Sequence, residues 1–256
     1  MSRPLVDFIH TDDLVAVDRL IPGSPEPVRC RSLSVDADTG GVSAVVDIPA
    51  GWTAPPAHWT GGLDVMVLAG TLRLGGQRLV RSSYLYVPAG AALPLVRAEE
   101  ATRVVLFASA AVDAVPAETS PPQFPVNGIG PVALSELAWE QPRTPGFPIG
   151  SGRKTLRLDD ETGDGFWVLG LLPHWDSALR EWHEFAEENY VLAGEIETAV
   201  GVMTTGAYLS HPAGPEFIHG PMRSRPGALV ITRSSGPFAT TYEPPPPDVT
   251  LRGSWP

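Results

Sequence analysis

The chain has 256 residues, 43% hydrophobic and 18% charged, a composition typical of a globular protein with a sizeable buried core. The formal net charge of −11 excludes nucleic acid as an expected partner, because binding phosphates requires a basic surface. The single cysteine, Cys30, excludes an internal disulfide framework and is typical of a reducing compartment.

The N-terminal segment has no long apolar run, and no stretch reaches the roughly 18 apolar residues that a membrane helix needs. We therefore expect a soluble, cytoplasmic protein without a membrane partner. The chain also contains 26 glycines and 28 prolines, which demand many turns and favour short strands over long helices.

The apolar segments are short, rich in β-branched residues and separated by glycine and proline, as in β-sandwiches and barrels. Gly75-Gly76 predicts a hairpin turn between two of them. In chain order the predicted strands include 42–48, 65–68, 103–107, 167–172 and 228–232. The sequence therefore predicts an all-β protein.

A repeat with an offset of 123 to 124 positions runs through the chain. Leu33–Gly40 resembles Leu156–Gly163, and Tyr84–Gly90 resembles Tyr208–Gly214, among five such pairs in nearly one register. The pattern predicts a tandem duplication of one β-rich domain. We place the boundary near residue 122, in a region rich in proline and glycine, giving domains 1–122 and 123–256.

The second copy concentrates residues that bind metals. Glu181, His183 and Glu187 lie at even spacing, so an unbroken strand would point all three to one face, and His219 follows on a later segment. Glu188 is the alternative to Glu187, but strand parity with His183 favours Glu187. Two imidazoles with one or two carboxylates make a mixed N/O site suited to Fe²⁺, Mn²⁺, Zn²⁺ or Ni²⁺.

These motifs resemble those of the cupin superfamily, G-x5-H-x-H-x3,4-E-x6-G followed by G-x5-P-x-G-x2-H, and in particular bacterial bicupins whose second motif ends in His-Gly-Pro, here His219–Pro221. The resemblance implies two tandem jelly-roll barrels, with His183, Glu187 and His219 as metal ligands. The sequence departs from the pattern in two places. Glu181 replaces the first histidine, and His219 follows Gly214 by five residues instead of three.

Glu181 has three candidate roles: a fourth metal ligand, an acceptor that orients a ligand histidine, or a general base. His174 and His211, which replace Gly51 and Val87 of the first copy, could line the same pocket. We expect one divalent transition metal per chain, Fe²⁺ in the first place, with Zn²⁺, Ni²⁺ and Mn²⁺ as alternatives.

The first copy has fewer ligand-type residues. By the repeat, His58, Thr60 and Asp64 stand at the ligand positions, and Leu95 stands where the second copy has His219. One histidine and one aspartate cannot close a metal site, so we predict a degenerate site and a metal-free barrel.

The leading functional hypothesis is a metal-dependent enzyme acting on a small organic molecule in the second barrel. The reaction would be either dioxygenase-type oxidation or a Lewis-acid isomerisation, cyclisation or decarboxylation. The alternative is a non-catalytic bicupin that binds a small molecule. A homodimer is expected from the way bicupins cover their sheet edges.

Overall fold

The structure is a computed structural model and describes residues 3–21, 24, 26–117, 129–142, 145–237, 239–249 and 251. Its regular elements are β-strands apart from three short 3-10 helices, Thr11–Asp13, Leu134–Glu136 and Pro215–Phe217. The all-β class is confirmed. Within the described ranges, no helix has the length and apolar character required to cross a membrane.

The strands of the first half are β1 Val6–His10, β2 Val17–Leu20, β3 Pro27–Val35, β4 Val42–Ile48, β5 Thr53–Ala54, β6 Ala57–Trp59, β7 Leu63–Ala69, β8 Leu72–Leu74, β9 Gln77–Leu79, β10 Ser83–Val87, β11 Ala92–Leu93, β12 Val96–Ala98, β13 Thr102–Ala108 and β14 Ala114–Pro116. Those of the second half are β15 Ile129–Ala133, β16 Ser151–Leu158, β17 Gly165–Leu171, β18 Trp175–Ser177, β19 Arg180–His183, β20 Glu187–Thr198, β21 Val202–Thr204, β22 Ala207–His211, β23 Met222–Ser224, β24 Ala228–Ser234 and β25 Thr240–Glu243.

The first compact unit is Leu14–Leu137, below called the first barrel. Its main sheet has the order β15-β10-β7-β13-β4-β3-β2. Two smaller sheets, β5-β12-β8-β9 and β11-β6-β14, complete the barrel. Side chains from all three sheets point into an apolar interior, because alternate residues of a strand face the same side.

The second compact unit joins Arg3–Asp13 to Ala138–Pro256 and is below called the second barrel. Its main sheet runs β1-β22-β20-β24-β17-β16, and the far end of the long strand β20 also pairs with β21 and β23. A separate ribbon joins β19 to β25. The predicted architecture of two jelly-roll barrels is confirmed.

The division into units differs from the predicted domains 1–122 and 123–256, because the first strand of each repeat pairs with the sheet of the other repeat. β1 lies along β22 of the second barrel, and β15 lies along β10 of the first. The edge strand of a sheet exposes unpaired backbone groups. Because the two sheets are repeats of one fold, β10 and β22 expose equivalent edges, and β15 and β1 pair with them. The predicted boundary at residue 122 lies outside the described residues.

The register of the central strands supports the duplication. In the first barrel Leu63 pairs with Val87 across β7 and β10. In the second barrel Glu187 pairs with His211 across β20 and β22. Each of these residues has its counterpart 124 positions away, so the two pairs occupy one place in a repeated fold.

An ion-pair network crosses three strands of the first barrel. Asp47 on β4 lies 2.5 Å from Nη1 of Arg31 on β3 and 2.6 Å from Nε of Arg103 on β13. Partial burial acts to raise the pKa of Asp47, but the hydrogen bonds and charges of Arg103 and Arg31 hold it below the ordinary value of 3.8. The ionised carboxylate therefore stabilises the folded state.

We predict that Asp47→Asn lowers the free energy of unfolding at neutral pH by about 0.5–1 kcal/mol, as expected for a partly exposed network. A lowered folded-state pKa gives stability that is present above 3.8 and is lost as the pH falls through the folded-state value. The free energies of unfolding of wild type and Asp47→Asn, measured by denaturant titration, should therefore become equal in acid. The matched control is Glu99→Gln, whose partners Arg73 and Arg78 are more exposed than those of Asp47, so it should change stability less. Equal stability of Asp47→Asn and wild type at pH 7 would contradict the prediction.

Candidate metal centre

Five ionisable side chains converge inside the second barrel and are called the five-residue cluster: Glu181, His183, Glu187, His211 and His219. The first two come from alternate positions of β19, and Glu187 opens β20. His211 ends β22 directly opposite Glu187. His219 follows the last 3-10 helix, and its backbone exchanges two hydrogen bonds of 2.8 and 2.9 Å with Glu181. Strand register therefore brings together residues up to 38 positions apart.

Glu187 lies at the centre of the cluster. Its Oε2 is 3.5 Å from Nε2 of both His183 and His219. Oε1 of Glu181 is also 3.5 Å from Nε2 of His219. The ring centroids of His211 and His219 are 4.1 Å apart.

Two triplets of ligand atoms lie within 4.8 Å of one another: Glu181, His183 and His219, and Glu187, His211 and His219. Ligands bound to one metal at ~2.1 Å stand at most ~4.2 Å apart. Small side-chain rotations would therefore bring the atoms of either triplet within coordination distance of one metal ion.

Backbone carbonyls orient two of the imidazoles. Nδ1 of His183 lies 3.4 Å from the carbonyl of Ala239, and Nδ1 of His219 lies 3.3 Å from that of Phe217. A carbonyl only accepts hydrogen bonds, so it favours the tautomer with the proton on Nδ1. Nε2 then directs a lone pair into the cluster, which is how metal-binding histidines are commonly held.

The cluster is buried and strongly coupled. Burial acts to raise the pKa of Glu187, but the charges of His183, His219 and His211 lower it to about 2. Burial acts to lower the pKa of His183, but the charges of Glu187 and Glu181 raise it above 6.5. Burial and the charge of His219 lower the pKa of His211 to about 3. The neutral His211 ring is thus in the protonation state that binds metals.

The structure separates the roles of Glu187 and Glu188. Glu187 faces the cluster, as predicted, but the premise of one unbroken strand is wrong: His183 ends β19 and Glu187 begins β20, which belongs to another sheet. Glu188 faces the opposite side of β20, where its carboxylate accepts hydrogen bonds from Arg233 at 2.5 Å and from the Tyr208 hydroxyl at 2.6 Å. Nε of Arg3 is 3.1 Å from the same carboxylate. Glu188 therefore forms buried ion pairs that link β20 to β24 and to the segment before β1, and its hydrogen bond from Tyr208 adds β22.

Of the two further histidines, the structure brings only His211 into the cluster. It is 5% exposed and shares the coordination triplet with Glu187 and His219, whereas His174 lies in an exposed turn. A signal was present in the sequence. His211 replaces Val87, whose buried position faces the barrel interior.

The predicted equivalences of His58, Thr60 and Asp64 in the first barrel are wrong by one position. His58 and Thr60 are exposed, and the buried Asp64 accepts a hydrogen bond from the Tyr84 hydroxyl at 2.5 Å, which makes it the counterpart of Glu188. The residues that occupy the cluster positions are Trp59, Leu63 and Val87, all buried and apolar. The offset of the repeat changes from 123 to 124 before β6, and an offset wrong by one assigns each residue to the opposite face of its strand.

A cavity of about 60 Å³ adjoins the cluster. Glu181 and Glu187 form part of its wall, and apolar side chains such as Phe147, Trp167 and Leu209 form most of the rest. Arg153 also lines the cavity, and its guanidinium lies over the Trp167 ring at 5.5 Å. The space therefore combines carboxylates, a cation and an apolar wall.

The cluster fits a divalent transition metal. Oε2 of Glu187 and Nδ1 of His211 are buried and make no hydrogen bond to any described residue. Buried polar atoms of this kind are costly unless they have a partner. Three imidazoles and two carboxylates also form the mixed N/O donor set that Fe²⁺, Mn²⁺, Ni²⁺ and Zn²⁺ accept.

Fold and site together define a cupin-fold protein with a buried His/Glu cluster in one of its two barrels. The chain belongs to the family described as Domain of unknown function (DUF4437), whose model matches residues 15–241. No curated protein matches the chain.

Solved structures with the same fold include proteins of several kinds. A Nostoc punctiforme protein described as a "putative dioxygenase" is 23% identical with a TM-score of 0.83, over 94% of this chain and 87% of that one. Lactobacillus farciminis oxalate decarboxylase is 11% identical with a TM-score of 0.59, over 93% and 88%. A Leptotrichia buccalis cupin 2 conserved barrel domain protein is 9% identical with a TM-score of 0.57, over 91% and 97%. At these identities the likeness shows the cupin fold alone.

We predict that Glu188→Gln lowers the free energy of unfolding by about 3 kcal/mol, because it leaves Arg233 and Arg3 buried without their counter-charge. Denaturant titration of the metal-free protein measures the change. The nearby substitution Glu184→Gln should cost far less, because that carboxylate is exposed. Equal losses for the two variants would contradict the assignment of a structural role to Glu188 alone.

Proposed function

We propose that the protein is a metal-dependent enzyme that acts on a small organic molecule in the second barrel. The observation that carries the proposal is the buried five-residue cluster beside a cavity. His183, Glu187, His211 and His219 would hold one divalent transition metal per chain. This set adds His211 to the ligands expected from sequence.

Glu181 is the residue we assign to proton transfer. It lines the cavity and is 12% exposed, and it lies opposite Tyr242 across β19 and β25. Burial and the charge of Glu181 raise the pKa of Tyr242 above 10, so this phenol stays protonated at physiological pH. Glu181 would thus act as a general base on a substrate in the cavity, and it also lies close enough to His219 to serve as a further ligand.

Arg153 indicates the substrate class. Its guanidinium is held over Trp167 at the cavity wall, and the cavity also contains the negatively charged Glu181 and Glu187. An anionic group of the substrate would bind Arg153, while a metal would compensate the charge of the carboxylates. The volume of about 60 Å³ suits a molecule with only a few non-hydrogen atoms. A small keto or hydroxy carboxylate meets these conditions.

Two reaction types are compatible with this site. A bound Fe²⁺ would activate dioxygen or, like Zn²⁺, Ni²⁺ or Mn²⁺, would polarise a substrate oxygen as a Lewis acid. The fold likeness to the protein described as a dioxygenase supports oxidation as the first candidate. The likeness to oxalate decarboxylase, together with Arg153, supports decarboxylation of a small carboxylate as the second. Isomerisation, cyclisation and assembly as a homodimer stay predictions.

We predict that protein purified without a histidine tag binds about one equivalent of metal per chain. His211→Ala and Glu187→Gln should each weaken metal binding at least tenfold, because the loss of a residue that only orients a ligand already costs about 10–100-fold in metal affinity. The matched controls are His58→Ala and Glu184→Gln, which change exposed residues of the same types. Elemental analysis and titration of the metal-free protein measure the effect.

The same preparations test the enzyme hypothesis. Protein loaded with Fe²⁺ should consume oxygen or release carbon dioxide with at least one keto or hydroxy acid of two to five carbons, and Glu187→Gln should not. If the protein binds metal and binds a small molecule tightly without turnover, the enzyme hypothesis is wrong and the non-catalytic binding protein is supported. Absence of metal binding in the wild type would contradict the proposal altogether.

We predict that Arg153→Met raises KM for an anionic substrate about tenfold or more with a smaller change in kcat, because it removes a charge-assisted contact. Arg153→Lys should recover part of the loss. Steady-state kinetics give both parameters, and elemental analysis should show unchanged metal content. An unchanged KM in Arg153→Met would contradict the substrate class.

A further inference from the structure

A second, larger cavity lies inside the first barrel. Its volume is about 450 Å³, which falls in the range of ~300–1,000 Å³ typical of small-molecule sites. Packed protein interiors contain few voids larger than a water molecule. An engineered cavity of ~150 Å³ already binds benzene. The interior of the first barrel is therefore large enough for a substantial ligand.

The wall of this cavity is almost entirely apolar. Its middle is formed by buried side chains of several strands, including Trp52, Trp59, Leu63, Leu85 and Val104. Arg19 is the one charged residue among the described residues that line it. Such a wall binds hydrocarbon and gains nothing from a polar ligand.

The repeat shows how this interior arose from the same fold. Trp59, Leu63 and Val87 stand at the positions of His183, Glu187 and His211, and Leu63 pairs with Val87 as Glu187 pairs with His211. The first barrel thus places hydrocarbon where the second places metal-binding groups. The chemistry that remains available there is the binding of apolar surface.

A positively charged side chain, that of Arg19, lies where the cavity meets the surface. Arg19 on the edge strand β2 is exposed, as is the adjacent Leu20 at 67%, and both line the cavity together with Ile21. A guanidinium at the rim of an apolar chamber complements a carboxylate attached to a long hydrocarbon body.

We propose that the first barrel binds an aliphatic carboxylate of the fatty-acid type, with the chain in the apolar cavity and the head group at Arg19. The site is separate from the metal chemistry proposed for the second barrel and does not depend on it.

The test is calorimetric titration of the metal-free full chain with dodecanoate, and with dodecanol as the uncharged probe of equal length. Wild type should bind one dodecanoate per chain. Arg19→Gln should weaken dodecanoate binding about three- to tenfold and leave dodecanol binding unchanged, because the head group lies at the surface. An unchanged affinity of Arg19→Gln for dodecanoate would overturn the head-group assignment.

Two substitutions fill the chamber. Ala44 on β4 lines the cavity and is 4% exposed, so Ala44→Phe should reduce the affinity for both probes more than tenfold. Ala44→Val adds less volume and should give a smaller loss in the same direction, which keeps the test decisive if the larger variant does not fold. His211→Ala in the second barrel should bind both probes as wild type does. The proposal fails if wild type binds neither probe, if folded Ala44 variants bind as tightly as wild type, or if His211→Ala abolishes binding.

Discussion

The cross-strand register of β20 and β22 is the constraint on which the candidate site depends. It sets Glu187 opposite His211, and the neighbouring backbone pairing of Glu181 with His219 adds the remaining side chains at the same end of the barrel. A shift of one residue would turn Glu188 inward and Glu187 outward, since successive side chains of a strand face opposite sides. The buried ion pairs of Glu188 with Arg3 and Arg233 oppose such a shift, because their charges would lose their partners.

One repeated frame supports two different interiors. Both barrels keep a tyrosine that donates to a buried carboxylate, Tyr84 to Asp64 and Tyr208 to Glu188, so the strands are fixed in the same way. The opposite faces of those strands have diverged. One copy carries ionisable groups around a small cavity, and the other carries hydrocarbon around a large one. This separation of fold and site is what allows a duplicated domain to carry two chemically different interiors.

Much of this could be predicted from the sequence, because turn residues, short β-branched segments and a fixed offset act locally. The same is true of Glu181 and His183, whose spacing of two places them on one face of β19. Two features could not. His211 could be named as a candidate, but its place beside Glu187 follows only from the pairing of β20 with β22. The pairing of β1 and β15 with the opposite repeats is also invisible locally, because the duplicated edges are equivalent.

The central claim is that the five-residue cluster holds a transition metal, and anomalous diffraction from crystals of the metal-loaded protein tests it most directly. The account predicts one anomalous peak per chain in the second barrel, within about 2.0–2.2 Å of Nε2 of His219 and a carboxylate oxygen of Glu187. It also predicts that the peak disappears in crystals of His211→Ala. A peak at another place, or crystals soaked in metal that show no peak between these side chains, would contradict it.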